Sequence, residues 1–222
     1  MANPAASPTP GLVDLESASS EPFRTLRLAI DLRPQPSKGN AVLFTSPSAG
    51  DGKSVTAANY ALVAAYGGNR VLLLDGDLRR PTVHRTFDRA RSPGLSEMLS
   101  RGLELENVAS QVSFAPGLSI VPAGSPLPRS SDFLESPAMA RALGRFQRDY
   151  DLVVIDSPPV VGLADAASLA SHPGVEVAVV TDAKGKRRQL GRALRTLEYI
   201  GATVVGIVVN RTGDLTPYEY ET

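Results

Sequence analysis

The sequence predicts an α/β fold: a doubly wound, mainly parallel sheet with helices on both faces. Three observations carry that expectation. Short, unbroken apolar runs recur at 41–45, 71–74 and 152–155, and unbroken runs suit strands buried on both faces, as a parallel sheet requires. Helix-patterned segments separate the runs, which argues for crossover connections. The first run leads into a Gly-rich loop and the other two end directly in aspartate, placing polar groups at the carboxyl ends of strands, where open α/β sheets bind ligands.

In chain order, residues 1–19 are rich in Ala, Pro and Ser and read as a disordered leader. Ser20 is placed to cap a helix, and Pro22 is tolerated in a first turn. Phe23, Leu26 and Ile30 give that helix one apolar face before Pro34 ends it. Ala41–Thr45 is a strand, Val55 to Tyr66 a helix, and Val71 to Leu74 a second strand, followed by a longer irregular region. A short strand is expected from Leu118 or Ser119 to Val121. Asp132 is placed to cap a helix with Met139, Leu143 and Phe146 on one face. A strand to Ile155, a helix from Leu163 to Ala170, a strand from Val175 to Val180, a helix from Gly185 to Ile200 and a strand from Thr203 to Val209 complete the series. The expected organisation is a leader (1–19), one nucleotide-binding domain (20–211) and a flexible tyrosine-bearing tail (212–222).

The segment Ser46-Pro47-Ser48-Ala49-Gly50-Asp51-Gly52-Lys53-Ser54 lies between the first strand and its helix. Strand, Gly-rich loop ending Gly-Lys-Ser, helix is the context of a phosphate-binding loop. Glycines at 50 and 52 let the chain turn so that backbone N–H groups from Ser48 to Val55 point inward, and the following helix adds partial positive charge. Lys53 can reach the β- and γ-phosphates of ATP, and the Ser54 hydroxyl can ligate Mg²⁺. The pattern departs from the standard one at Pro47, where glycine is usual. The fold is thus of the P-loop NTPase type, with a deviant Walker loop.

Two further strands end in acids. Val71–Leu74 leads into Asp75-Gly76-Asp77-Leu78-Arg79-Arg80, and Leu152–Ile155 into Asp156-Ser157-Pro158-Pro159. Asp156 reads as the Walker B acid, holding Mg²⁺ through its water shell. Asp75 would face the same metal or an attacking hydroxyl, with Asp77 beside it. Arg79 and Arg80 offer guanidinium forks suited to phosphate. Asn210 and Arg211 follow the last strand and are candidate nucleotide-binding residues. Asn210 can pair with a base or simply make a turn.

The composition narrows the function. Lys+Arg and Asp+Glu number 23 each, so no net field favours nucleic acid or an anionic membrane. There is no cysteine, hence no disulfide framework or thiol nucleophile. No apolar run reaches the ~18–20 residues that span a bilayer, so the expectation is a cytoplasmic chain that meets the membrane only through a partner. His84 and His172 are isolated. The basic cluster Lys184, Lys186, Arg187 and Arg188 reads as a solvated helix face.

These motifs together resemble the bacterial tyrosine autokinases of capsular and exopolysaccharide biosynthesis. The resemblance rests on Ser46 to Ser54, with Asp51 in place of the usual glutamate, on the doubled acid and arginine from Asp75 to Arg79, and on Asp156-Ser157-Pro158-Pro159. Glu21-Pro22-Phe23-Arg24-Thr25-Leu26-Arg27 is similar to the family's Glu-x-x-Arg-x-x-Arg element. Pro93–Ser96 and Val121–Gly124 resemble its connecting segments. The resemblance implies an ATP- and Mg²⁺-dependent kinase in which Lys53, Asp75, Asp77 and Arg79 serve the transfer. It implies a ring-shaped homo-oligomer joined through Glu21, Arg24 and Arg27, and adenine contact by Asn210. It also implies a membrane-anchored polysaccharide chain-length or co-polymerase partner as activator, and a tyrosine phosphatase acting in opposition. The acceptors would be Tyr218 and Tyr220, in a tail sparser in tyrosine than the family usually carries. Two other readings remain. One is a partition or division-site switch ATPase, although Ser48 stands where those proteins carry a second lysine. The other is a nucleotide-binding scaffold with little catalysis.

Overall fold

The computed structural model describes residues 11–32 and 40–212. Seven strands form one sheet: β1 (Ala41–Thr45), β2 (Val71–Asp75), β3 (Ser110–Val112), β4 (Ala115–Val121), β5 (Leu152–Asp156), β6 (Val175–Asp182) and β7 (Thr203–Asn210). Their spatial order is β3-β4-β2-β5-β1-β6-β7, with every pair parallel except β3–β4. Eight helices accompany them in the described residues: α1 (Glu21–Asp31), α2 (Lys53–Tyr66), α3 (Val83–Thr86), α4 (Leu95–Arg101), α5 (Ser130–Leu134), α6 (Pro137–Asp149), α7 (Ala164–Ala170) and α8 (Arg187–Tyr199).

Strand alternation sends side chains into two cores. Leu72 and Leu74 of β2 join one face with Leu143, Phe146 and Leu197, while Val71 and Leu73 join the other with Phe44 and Tyr60. Each such buried side chain contributes ~1.5–3 kcal/mol, which is why the unbroken apolar runs were legible as strands. Helix α2 is buried along nearly its whole length. Its alanines at 57, 58, 61, 64 and 65 bring its backbone close to the sheet and hold the preceding loop rigidly.

Several expectations are corrected. Residues 11–19, assigned to a disordered leader, are placed against α2: Leu12 is buried, the Val13 amide donates to Asn59 Oδ1 at 2.8 Å, and Asn59 Nδ2 donates to the Gly11 carbonyl at 2.9 Å. The leader up to residue 10 lies outside the described residues. Ser20 does not cap α1 with its side chain, because its hydroxyl donates instead to the carbonyls of Ser17 and Leu15. Asp132 lies inside α5. The cap of the helix bearing Met139, Leu143 and Phe146 is Ser136, whose hydroxyl accepts from the Met139 amide. Strand β3, polar and three residues long, left no hydrophobic pattern to read. Among the described residues, no helix is long and apolar enough to cross a membrane.

Candidate functional site

Parallel pairing puts three loops at one end of the sheet. Strand β1 lies between β5 and β6, and β5 lies beside β2, so the loop after β1 meets the acids after β2 and β5. The Ser157-Pro158 segment ties down the start of the loop: Thr45 Oγ1 donates to the Pro158 carbonyl at 2.9 Å, and Ser157 Oγ to that of Phe44 at 3.0 Å. Gly50 and Gly52 adopt φ of 91° and 95°, where a side chain is strained. At Gly52 a Cβ would also lie 2.0 Å from Asn210 Nδ2. That nitrogen donates to the Asp51 carbonyl at 3.1 Å. The Asp51 carboxylate accepts from the Ser48 amide at 2.9 Å, and the Ser48 hydroxyl donates to Gln189 of α8 at 3.0 Å. Burial pushes Asp51 above the usual carboxylate range despite that amide bond. Arg211 donates through its amide to Asn210 Oδ1 and pairs with Asp182 at 2.8 Å.

Lys53 Nζ occupies the centre, 3.3 Å from Asp77 Oδ2, 3.3 Å from Asp156 Oδ1 and 3.0 Å from Ser54 Oγ. Burial alone would lower its pKa, but Asp156 and Asp77 outweigh burial and hold the ammonium above its ordinary value. Asp75 and Asp156 stand opposite each other in the β2–β5 register, both fully buried. Burial, then the neighbouring Asp156 charge, pushes Asp75 up to about 8. Its carboxylate nevertheless accepts from the amides of Asp77 (3.2 Å), Thr82 (3.1 Å) and Val83 (3.0 Å), which fix its orientation. Burial also raises Asp156, against the pull of Lys53.

The donor set fits a magnesium nucleotide. Asp156 Oδ2 is buried with no hydrogen-bond partner, an expensive state for a carboxylate oxygen, and it lies in the side chain that meets Lys53. No three acidic or imidazole groups converge as a metal cage among the described residues. Mg²⁺ suits such a site, because it takes one or two protein oxygens and completes its shell with phosphate and water. Ser54 and Asp156 are the groups that would hold it. Asp75, proposed from the sequence as a third metal contact, already has both oxygens engaged by backbone amides.

Arg79 is placed differently from the sequence expectation. Its guanidinium grips Asp165 of α7 with two bonds of 2.9 Å and does not join Lys53 and the acids. Asp165 is fully buried and also accepts from Ser130 and Ser131. Burial would raise its pKa, but Arg79 and the two hydroxyls hold it below the usual range. Asp165 and Gln189 were missed in the sequence, where an acid in a helical first turn and a glutamine on a basic helix carry no signal. Glu21 and Arg24 pair at 3.4 Å, and Arg24 also reaches the Leu15 carbonyl and lies over the Tyr66 ring. Arg27 pairs with Asp31 at 3.3 Å. His172 donates through Nε2 to the Leu134 carbonyl, 2.7 Å away. Tyr218 and Tyr220 lie outside the described residues.

A parallel sheet with a Gly-Lys-Ser loop at its carboxyl edge, backed by two strand-terminal acids, defines a P-loop nucleotide-binding protein. The AAA domain family matches residues 41–191. The putative tyrosine-protein kinase EpsB of Ralstonia solanacearum is 34% identical over 92% of this chain and 27% of its own length. Tyrosine-protein kinase YwqD of Bacillus subtilis is 33% identical over 90% of this chain and 84% of its own. In structure, the chain superimposes on the chimerical protein CapA2B2 with a TM-score of 0.83 at 30% identity, covering 90% of this chain and 87% of that one. The kinase domain of the Escherichia coli tyrosine kinase ETK gives 0.82 at 26% identity, over 92% and 82%. The chain belongs to the bacterial tyrosine-kinase family. It spans about a quarter of the length of the Ralstonia relative.

Proposed function

We propose that this chain is an ATP- and Mg²⁺-dependent protein-tyrosine autokinase that phosphorylates Tyr218 and Tyr220 of a neighbouring copy. The observation that carries the reading is Lys53, held at the foot of the loop between acids from two different strands and beside the Ser54 hydroxyl. Phosphoryl transfer needs positioning and charge stabilisation more than covalent chemistry. Bound magnesium ATP supplies the phosphoryl group and neutralises part of its charge. Lys53 stabilises the negative charge that develops on the transferred group. Ser54 and Asp156 hold the metal side. Asp75, oriented by three amides, would accept a hydrogen bond from the incoming phenol and take its proton as the phenol oxygen bonds to the γ-phosphorus and the bond from that phosphorus to the departing ADP breaks. Asp77 keeps Lys53 aligned, and Asn210 would contact the adenine base.

In the wider setting, the chain regulates assembly and export of capsular or extracellular polysaccharide from the inner face of the plasma membrane. A membrane-anchored co-polymerase partner recruits and activates it, and a tyrosine phosphatase resets it. Glu21, Arg24 and Arg27 contribute to a ring of subunits, loosened when the tails carry phosphate charge.

Intact mass and peptide mapping after incubation with ATP and Mg²⁺ test the reading. Phosphate on Tyr218 or Tyr220 is expected, with Lys53→Met reducing the rate by at least about a hundredfold while circular dichroism stays native. ATP hydrolysis without tyrosine phosphate, with the activator supplied, would point to a switch ATPase instead.

A further inference from the structure

Helix α8 touches the phosphate loop, yet none of the roles above uses it. It starts from a tightly cross-linked corner where the ends of β6 and β7 meet. The Ala183 amide donates to the Asn210 carbonyl at 2.9 Å, the Gly185 amide to the Asp182 carbonyl at 2.7 Å, and the Lys184 amide to Asp182 Oδ1 at 2.8 Å. Arg211 pairs with the same aspartate at 2.8 Å. A Cβ on Gly185 would lie 2.7 Å from the Asp182 carbonyl oxygen, so the turn into α8 leaves no room for a side chain. These contacts fix where α8 begins, and with it Gln189 in the first turn of that helix.

From this corner two side chains reach the loop. Asn210 Nδ2 donates to the Asp51 carbonyl at 3.1 Å, and Gln189 Oε1 accepts from the Ser48 hydroxyl at 3.0 Å. Ser48 is thereby held at its amide, its carbonyl and its hydroxyl. The amide donates to the Asp51 carboxylate at 2.9 Å, and the carbonyl accepts from Ser46 Oγ at 2.7 Å. Those two bonds are internal to the loop, whereas Gln189 lies 141 positions away and ties Ser48 to a separate element. Between the two anchors Ala49 and Gly50 are exposed, and a Cβ on Gly50 would meet nothing within 4 Å. The crest of the loop has few contacts of its own, so its order must come from its ends.

We infer that Gln189 is a positioning residue of the nucleotide site, holding the Ser48 end of the loop in its phosphate-ready shape before the nucleotide arrives. The inference rests on the nucleotide-binding part of the proposed function and not on the identity of the phosphate acceptor. A loop that cradles phosphate with backbone amides binds best when those amides are already in place, because ordering them on binding would cost affinity. The chemistry of the position fits the task. The Ser48 hydroxyl needs an acceptor, and the preceding Lys186, Arg187 and Arg188 carry donors only. Glutamine supplies a neutral acceptor in an otherwise basic turn, without placing a carboxylate beside the phosphates. Helix α8 thus belongs to the nucleotide site although it carries no phosphate-binding motif.

The test uses the full chain and the ATP analogue adenylyl imidodiphosphate with Mg²⁺, titrated by calorimetry. Gln189→Met keeps the bulk of the side chain and removes its acceptor. It is expected to weaken binding about three- to tenfold with the urea midpoint unchanged. Ser48→Ala should weaken binding by a similar factor. The double variant should bind no more weakly than the weaker single variant, because both changes remove the same bond. By NMR of the nucleotide-free chain, the Ser48 amide should exchange faster in Gln189→Met. Gln189→Glu, which keeps an acceptor oxygen, should restore its protection. Unchanged affinity and exchange in Gln189→Met overturn the assignment. So do losses that multiply in the double variant, or a loss of affinity that tracks a lower urea midpoint. Absence of analogue binding by the native chain overturns the nucleotide reading itself. Gln189-dependent binding with no tyrosine phosphate supports the assignment and counts against the kinase reading alone.

Discussion

Lys53 links residues that are distant in sequence: Asp77 follows β2 and Asp156 ends β5, and one ammonium lies 3.3 Å from each. Such a cation is stable in a buried position only because two carboxylates repay its desolvation. An incoming triphosphate offers the same compensation, which makes the Lys53 contacts exchangeable. Removing an acid therefore affects more than catalysis. Asp156→Ala takes away one of the partners of Lys53 and a metal-side oxygen, and should lower the rate of tail phosphorylation by about 10²-fold or more. The loop has its own single-residue constraint. Gly52→Ala meets both an unfavourable φ and Asn210 Nδ2. It should weaken binding of a nucleotide analogue at least tenfold by calorimetry. Asn210→Ala in that background should restore little, because the backbone strain persists.

At the scale of elements, Glu97 clasps two connecting segments. It is buried in the first turn of α4 and accepts from the Gly94 amide at 2.8 Å, Ser96 Oγ at 2.9 Å, Ser92 Oγ at 2.9 Å and the Ser125 amide at 3.1 Å. The Leu95 and Ser96 amides donate to Pro122 and Ala123, so Pro93–Ser96 and Val121–Gly124, similar to family connectors in sequence, form one clasp. Burial would raise the Glu97 pKa, but bonds from Ser125, Gly94 and Ser92 outweigh it and hold it at about 2, against 4.5 for the free side chain. A depressed pKa stabilises the fold fully above pH 4.5 and loses that stabilisation as pH falls through 2. On the order of 3 kcal/mol should disappear across that window. Glu97→Gln should lower stability at pH 7 by a similar amount and flatten the acid limb of urea denaturation. The Arg79–Asp165 pair joins the acid loop to α7 and α5 in the same way. Asp165→Ala leaves Arg79, Ser130 and Ser131 without their shared acceptor, and should cost about 3 kcal/mol in urea denaturation.

For the whole molecule, one sheet between two cores makes the catalytic edge a consequence of strand order. Phe146→Ala, far from the loop, should cost ~3–5 kcal/mol and leave nucleotide affinity unchanged below the unfolding transition, measured by thermal unfolding and calorimetry. Assembly belongs to this scale as well. Arg24 is already engaged with Glu21, Leu15 and Tyr66 inside one subunit, so any ring contact must share that arginine or use the exposed Glu21 beside it. Arg24→Glu is expected to lower the solution mass by light scattering if α1 joins subunits.

Much of this was legible in the sequence because it depends on local order. Unbroken apolar runs specify parallel strands, Gly50 and Gly52 specify a turn, and Lys53-Ser54 must follow that turn into a helix. Met139, Leu143 and Phe146 recur at helical spacing, so their shared burial followed from periodicity alone. Other features depend on which strands become neighbours, and no local pattern encodes that. The β2–β5 register sets Asp75 beside Asp156, whose charge adds to burial in raising the Asp75 pKa. The packing of α7 against α5 gives Arg79 a buried carboxylate in place of a phosphate. The approach of α8 to the loop lets Gln189 hold Ser48. The sequence by itself determined the class of fold and the kinds of groups at its carboxyl edge. Only the tertiary structure decided which of those groups touch, since contact between residues tens of positions apart is set by the sheet's order and the close packing of its two faces.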